Sequence, residues 1–178
     1  MNDTATPTVP ALTGERAALL KVLAKTRFFL RHTINGLTDD QAGTRSTVSE
    51  LCVGGLIKHV AGCEEGWVNF ILDGTPLMKD FDDITEADFQ ERDDEFRMLP
   101  GETVESVLSR YDAIAARTDE ILATVDLDRS WPLPKAPWFQ ETSWTTREVL
   151  LHIIAETAQH AGHADILREA IDGQKTMG

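Results

Sequence analysis

The feature that most constrains the fold is a helical periodicity in four long segments of the chain. Apolar residues recur at steps of three and four over about residues 12–34, 51–72, 104–125 and 146–171. None of these segments shows the alternation of apolar and polar residues that is typical of a half-buried strand. Four amphipathic helices bury their apolar stripes by packing against one another. The sequence therefore predicts an all-α fold, specifically a four-helix bundle.

Residues that begin and end helices flank two of these segments. Thr47 and Glu50 have the spacing of a capping box ahead of the second segment, and Thr145 and Glu148 have it ahead of the fourth. Glycines follow the same two segments, where a left-handed C-cap is expected: Gly74 and Gly173. These signals predict where the second and fourth helices start and stop.

Two long connections join the predicted helices. Residues 73–101 separate the second and third segments, and within them residues 80–95 hold nine acidic residues and one basic residue. We interpret this acidic stretch as a solvated face and expect a short helix near residues 84–92. Three phenylalanines can anchor it to the bundle: Phe81, Phe89 and Phe96. Residues 131–139, before the fourth segment, form a proline-stiffened aromatic loop, and long connections of this kind often bind ligands.

Composition limits the partners of the chain. Its 178 residues include 30 acidic and 17 basic residues, which gives a net charge of −13. A chain this acidic repels phosphate backbones and anionic membrane surfaces, so we expect no nucleic-acid and no membrane partner. No apolar run approaches the ~20 residues that span a bilayer. We expect a small-molecule substrate instead.

The first ten residues and the two cysteines bear on location and domain organisation. Residues 1–10 lack the basic and apolar regions of a signal peptide. Cys52 and Cys63 are too few for a disulfide scaffold, so we expect reduced thiols that act as small core residues in a cytoplasmic protein. We predict a disordered tail at residues 1–10 and a single domain over residues 11–178.

The fourth segment carries a group of residues that can bind a metal ion. At 100° per residue, four of its polar side chains fall within an arc of about 80° that also holds apolar residues: His152, Glu156, His160 and His163. Side chains four residues apart on a helix can reach one ion. The pair His152 and Glu156 and the pair Glu156 and His160 both satisfy this spacing, and periodicity does not choose between them.

A metal site needs a further ligand from another helix. His59 in the second segment is the candidate, because the residues on its side of that helix are apolar and should face the interior of the bundle. Two histidines and a carboxylate leave a coordination position open, as in catalytic zinc sites. Cys63, one turn later, offers a fourth ligand that would close the site. His32 lies among charged and polar neighbours and is the weaker candidate.

The alternative to a metal site is a set of hydrogen-bonded core histidines. Burying a carboxylate and several imidazoles without a charge partner is costly, and a divalent cation removes that cost. The tryptophans also have two interpretations, as anchors of the core and loop or as the mouth of a substrate pocket: Trp67, Trp138 and Trp144.

Two stretches of the chain resemble a known family. Residues 54–67 (GGLIKHVAGCEEGW) and residues 150–169 (LLHIIAETAQHAGHADILRE) are similar to the second- and fourth-helix signatures of the DinB-like (DinB/YfiT-type) metalloenzyme superfamily. The resemblance is greatest to the branch that includes the N-terminal domain of mycothiol-dependent maleylpyruvate isomerase.

The resemblance implies both a topology and a metal site. The implied fold is an up-down-down-up four-helix bundle with a long crossover between helices 2 and 3, which would be residues 73–101. The implied ion is zinc, or alternatively nickel, and its implied ligands are His59, Glu156 and His160. His163 and His152 then become neighbours of the ligands, which support them or transfer protons.

The same branch activates a low-molecular-weight thiol, mycothiol, as a metal-bound thiolate that attacks an electrophilic small molecule. The isomerase has a further C-terminal domain for which the sequence, ending at Gly178, leaves no room. We therefore expect a metal-dependent thiol S-transferase rather than an isomerase, in a family whose members often pair as homodimers. The alternatives are a non-catalytic metal-binding or ligand-sensing bundle, and a metal-dependent hydrolase in which His163 or His152 carries protons.

Overall fold

The computed structural model describes residues 13–177, and the tail predicted at residues 1–10 lies outside them. The described part of the chain contains six α-helices, a 3₁₀ helix at Phe81–Asp83 and a two-stranded sheet. The helices, in chain order, are α1 (Gly14–His32), α2 (Asp39–Ala42), α3 (Val53–Asp73), α4 (Glu86–Glu95), α5 (Val104–Thr124) and α6 (Thr146–Asp172). The strands are β1 (Ser130–Pro132) and β2 (Ser143–Thr145). The prediction of an all-α class is confirmed.

The four long helices bury their apolar stripes against one another. Helix α1 packs on α6 and α5, and α3 packs on α5 and α6. The buried apolar side chains form two clusters, to each of which all four helices contribute. A layer of buried polar residues lies between the clusters along each helix: Arg27, Glu64, Thr118 and Thr157. Among the described helices, none is long and apolar enough to cross a membrane.

The ends of the long helices lie within two residues of those predicted. Thr145 and Glu148 form the expected capping box of α6, and Gly173 ends that helix at φ +79°. The box predicted at Thr47 and Glu50 is wrong: α3 begins only at Val53, and the thiol of Cys52 accepts a hydrogen bond from the Gly55 amide instead. The Thr47 hydroxyl is already used, because it accepts a hydrogen bond from the Ser49 amide.

A short hairpin was not predicted. Strand β1 pairs with β2 in antiparallel register, so that Trp131 lies opposite Trp144. Three residues a strand are too few to show a period-two pattern, which is why the sequence contains no sign of them. The indole N–H of Trp131 donates to the Ile71 carbonyl at 3.0 Å, which fixes the hairpin against the end of α3.

The crossover between α3 and α5 contains α4, which lies slightly later than residues 84–92. Phe96 is partly buried and packs against the core, whereas Phe81 and Phe89 are 45% and 49% exposed, so only one of the three predicted anchors packs on the core. Helix α4 has no buried residue, because its sequence is polar on all sides. Contact with α3 is made near the end of α4 and also by two residues just after it, Phe96 and Met98, which lie against two glycines.

The glycines of α3 allow this close approach. A Cβ atom at Gly55 would lie 1.9 Å from the carbonyl oxygen of Phe96, and one at Gly54 would lie 2.5 Å from the sulfur of Met98. Any larger residue at Gly55 would therefore push the crossover away from the helix. The chain after α4 is thus held directly above the first turns of α3, close to His59.

Candidate metal centre

The three ligands implied by the resemblance lie together where α3 faces α6. His59 projects from α3 and is 2% exposed, and Glu156 and His160 project from successive turns of α6. Oε1 of Glu156 lies 3.1 Å from Nε2 of His160 and 3.5 Å from Nε2 of His59. The two imidazole rings meet edge to face, with centroids 5.1 Å apart. One carboxylate oxygen therefore lies between a nitrogen of each histidine.

Cys63 belongs to the same group of side chains. Its Sγ lies 3.4 Å from Nε2 of His59, and donor atoms of His59, Cys63 and Glu156 all lie within 4.8 Å of one another. Nitrogen, sulfur and carboxylate donors at this separation suit a divalent transition metal such as zinc. The interpretation of Cys63 as a core residue is wrong, since it is half-buried among polar groups, whereas Cys52 is buried.

Glu95, the last residue of α4, was missed by the sequence analysis. Its Oε2 lies 3.1 Å from Nδ1 of His59, on the side of the ring away from Glu156. In the sequence it is one of nine acids in residues 80–95, and no spacing distinguishes it from the others. The interpretation of the acidic stretch as only a solvated face therefore fails at its last residue.

The electrostatics of this centre favour a positive charge. Burial lowers the pKa of His59, but hydrogen bonds to Cys63, Glu156 and Glu95 outweigh burial and raise that pKa to about 11. Hydrogen bonds from His160 and His59 hold the pKa of the Glu156 carboxyl well below its usual range. The groups that stabilise a proton on His59 would also stabilise a metal cation, and a bound cation would displace that proton. The charges of the surrounding groups, like their donor atoms, fit a divalent metal.

The other histidines occupy three different positions. Nδ1 of His163 lies 3.4 Å from Nδ1 of His160, so His163 contacts the nitrogen of His160 that faces away from Glu156. His152 packs against the rings of Trp67 and Trp144, and burial lowers its pKa. His32 stacks on Phe28 at the end of α1.

An aromatic wall lies one helical turn from Glu156. We use this name for four side chains: Trp67, Phe139, Trp144 and His152. The indole of Trp144 stacks on that of Trp67 with centroids 5.3 Å apart, and Phe139 meets it edge to face at 5.4 Å. Trp67 is buried and the other three are partly exposed, so the wall anchors the loop and also presents a surface beside the centre.

The two long connections meet beside this wall. The Phe81 amide donates to the Lys135 carbonyl at 2.7 Å, and the Lys135 amide donates to Asp80 at 2.9 Å. The ring of Trp138, which is half exposed, packs on that of Phe81. The crossover and the aromatic loop therefore support each other.

Comparison with known proteins shows a family and a solved structure to which the chain is similar. A family model described as mycothiol-S-transferase matches residues 18–173. The crystal structure of a conserved protein from Enterococcus faecalis covers 92% of this chain over 100% of its own length, with a TM-score of 0.69 and 14% sequence identity. At that identity the likeness concerns the fold alone. No curated protein is significantly similar in sequence.

Proposed function

Because the chain belongs to the mycothiol-S-transferase family, which is DinB-like, we propose that it transfers the sulfur of mycothiol or a related thiol to an electrophilic small molecule. In this proposal a divalent metal ion is held by His59, Glu156 and His160. The observation that best supports this metal site is the position of the Glu156 carboxylate between the imidazoles of His59 and His160. The family match also confirms the resemblance that was based on two helix signatures.

The proposed fold is the up-down-down-up four-helix bundle of the DinB-like superfamily, as one domain over residues 11–178. Two features of the described residues support it. The four long helices pack together through shared apolar clusters. The longest connection lies between α3 and α5, which are the second and third of these helices.

Three protein ligands suit a catalytic rather than a structural site. In the proposed centre His59 and His160 each give Nε2 and Glu156 gives a carboxylate oxygen, which leaves a position for a further ligand. A divalent ion held there lowers the pKa of a thiol, so that the thiolate nucleophile exists at neutral pH. Zinc suits this mixture of donors, and nickel is the alternative.

The remaining residues would orient groups and move protons. His163 would fix the ring of His160 through the hydrogen bond between their Nδ1 atoms. His152 would accept the proton that the thiol loses. The thiol sulfur would then form a bond with the electrophilic carbon, and the leaving group would depart with its bonding electrons. The exposed faces of Phe139 and Trp144 would exclude water from the apolar part of the electrophile.

The test is thiol transfer by the zinc-loaded protein. We expect protein incubated with mycothiol and a fluorogenic alkyl halide to form the thioether faster than zinc and the reagents alone. His160→Ala should lower the rate by at least about 100-fold, because loss of residues that only support ligands already costs about 10–100-fold. His32→Ala, which changes a histidine that stacks on Phe28, is the matched control and should keep the activity.

The outcomes of this test separate the candidate functions. No consumption of thiol by protein that retains its metal would overturn the transferase and leave a metal-binding bundle or a hydrolase. An equal loss of activity in His32→Ala and His160→Ala would show that the loss does not arise at the centre.

A further inference from the structure

We infer that Glu95 is a positioning residue of the metal centre, which holds the His59 imidazole by Nδ1 so that Nε2 faces Glu156. This inference rests on the proposed function, in which His59 is a ligand. It assigns a role in the metal centre to the crossover, where no sequence pattern had indicated a residue of the centre.

Both nitrogens of His59 have a carboxylate partner, and the two partners come from different helices. Nδ1 lies 3.1 Å from Oε2 of Glu95 on α4, and Nε2 lies 3.5 Å from Oε1 of Glu156 on α6. A histidine that binds a metal through one nitrogen commonly donates its other N–H to a carboxylate, which fixes the tautomer and the ring orientation. Glu95 occupies the place of that carboxylate.

The plane of the ring is restrained by the residue that follows. The ring of Phe96 stacks on that of His59, with centroids 4.0 Å apart and an angle of 27° between the planes. Rotation of the imidazole about its Cβ–Cγ bond would break both this stacking and the hydrogen bond to Glu95. Two consecutive residues of the crossover therefore act on the same ring.

The crossover is itself fixed against α3, so that Glu95 cannot drift. The carbonyl oxygen of Phe96 accepts a hydrogen bond from the Cys52 thiol at 3.6 Å and lies directly over Gly55. The side chain of Glu95 is 44% exposed, which leaves part of its carboxylate in water. A carboxylate attached to a docked backbone is suited to orienting a neighbouring ligand.

The experiment measures the affinity of the full-length protein for Zn²⁺ by competition with a chromophoric chelator. We expect Glu95→Ala to bind Zn²⁺ about 10–100-fold more weakly than the unmodified protein. Glu95→Gln should lose less, because its amide oxygen still accepts from Nδ1–H. Glu91→Gln, on the exposed surface of α4 one turn earlier, is the matched control and should bind Zn²⁺ unchanged.

A spectroscopic readout tests the hydrogen bond itself. In the ¹⁵N–¹H spectrum of the zinc-loaded protein, the Nδ1–H proton of His59 should be protected from exchange with water. This protection should be lost in Glu95→Ala and kept in Glu91→Gln. Protection that is equal in all three proteins would overturn the inference.

His59→Ala separates failure of this inference from failure of the proposed function. If His59→Ala leaves the affinity for Zn²⁺ unchanged, His59 is not a ligand and the proposed centre fails together with the inference. If His59→Ala abolishes binding while Glu95→Ala binds like the unmodified protein, the inference alone is overturned. Should Glu95→Ala fail to fold, Glu95→Leu decides, because its side chain has no acceptor for Nδ1–H, and an affinity equal to that of Glu91→Gln overturns the inference.

Discussion

At the scale of single residues, the candidate centre is defined by how each side chain is paired. The Glu156 carboxylate contacts two imidazoles, and the imidazole of His59 contacts two carboxylates and a thiol. These alternating contacts favour positive charge at the middle of the group, where a cation would be held. Without a metal ion the same residues would form a hydrogen-bonded core around a protonated histidine. Whether a metal ion or a proton supplies the positive charge therefore decides between a metal site and a set of core histidines.

Cys63 decides whether the centre is open or closed. With three ligands from His59, Glu156 and His160, Cys63→Ser should still bind zinc and retain thiol transfer, because no ligand has been removed. Elemental analysis and the rate of thioether formation measure the two properties. Loss of the metal from Cys63→Ser would show instead that the thiol is a ligand, and the centre would then resemble a structural site.

The buried ion pair of α1 and α3 supplies a prediction about stability. Arg27 donates through Nε to Glu64 at 3.1 Å and through a terminal nitrogen to Asp119 at 2.8 Å, and Glu64 is 1% exposed. We expect Glu64→Gln to lower the free energy of unfolding by about 3 kcal/mol, because it leaves the buried guanidinium incompletely paired. Equilibrium unfolding in urea measures this loss.

The neighbouring residue provides the control for that experiment. Glu65 pairs with Arg110 at the surface, at 2.9 Å, so that Glu65→Gln should cost less than about 1 kcal/mol. A similar loss in both variants would mean that burial does not determine the contribution of the Glu64 pair.

At the scale of elements, α3 carries glycines with opposite roles. Gly55→Ala would place a Cβ atom 1.9 Å from the Phe96 carbonyl oxygen, so we expect it to displace the crossover and destabilise the protein. Gly62→Ala has open space around its Cβ, and it should stabilise the protein by up to about 1 kcal/mol because alanine favours a helix. Thermal unfolding of the two variants should shift in opposite directions, and shifts of the same sign would contradict the proposed docking.

The four long helices and α4 were predictable, and the shortest elements were not, for one physical reason. Periodicity becomes visible only over several turns, so the ends of the four long helices were predicted within two residues. Helix α2 has four residues and each strand has three, which is too short for any pattern. The cap of α3 was missed because it is a cysteine thiol, which is not among the usual capping groups.

The candidate residues on α3 and α6 were predictable from the sequence, whereas Glu95 on α4 was not. Glu156 and His160 share a face of α6 because they are four residues apart, and the family resemblance selected this pair over His152 and Glu156. The contact of Glu95 with His59 joins residues 36 apart through a crossover that folds back on α3. Local spacing contains no information about such a contact, so the sequence did not reveal it.

At the scale of the whole molecule, charge is distributed unevenly. Residues 80–95 contribute −8 of the net charge of −13, and six of their nine acids lie on α4. Only the last of them, Glu95, enters the candidate centre. The overall charge still predicts that the protein binds no nucleic acid, while the cytoplasmic location and the homodimer remain predictions from the sequence and the family resemblance.

The central claim is that α3 and α6 together hold one divalent metal ion. Elemental analysis of protein purified without an affinity metal column tests it most directly. We predict about one equivalent of zinc or nickel per chain, which is lost in His59→Ala and retained in His32→Ala. A metal content near zero in the unmodified protein, with no uptake of added Zn²⁺ or Ni²⁺, would contradict the claim.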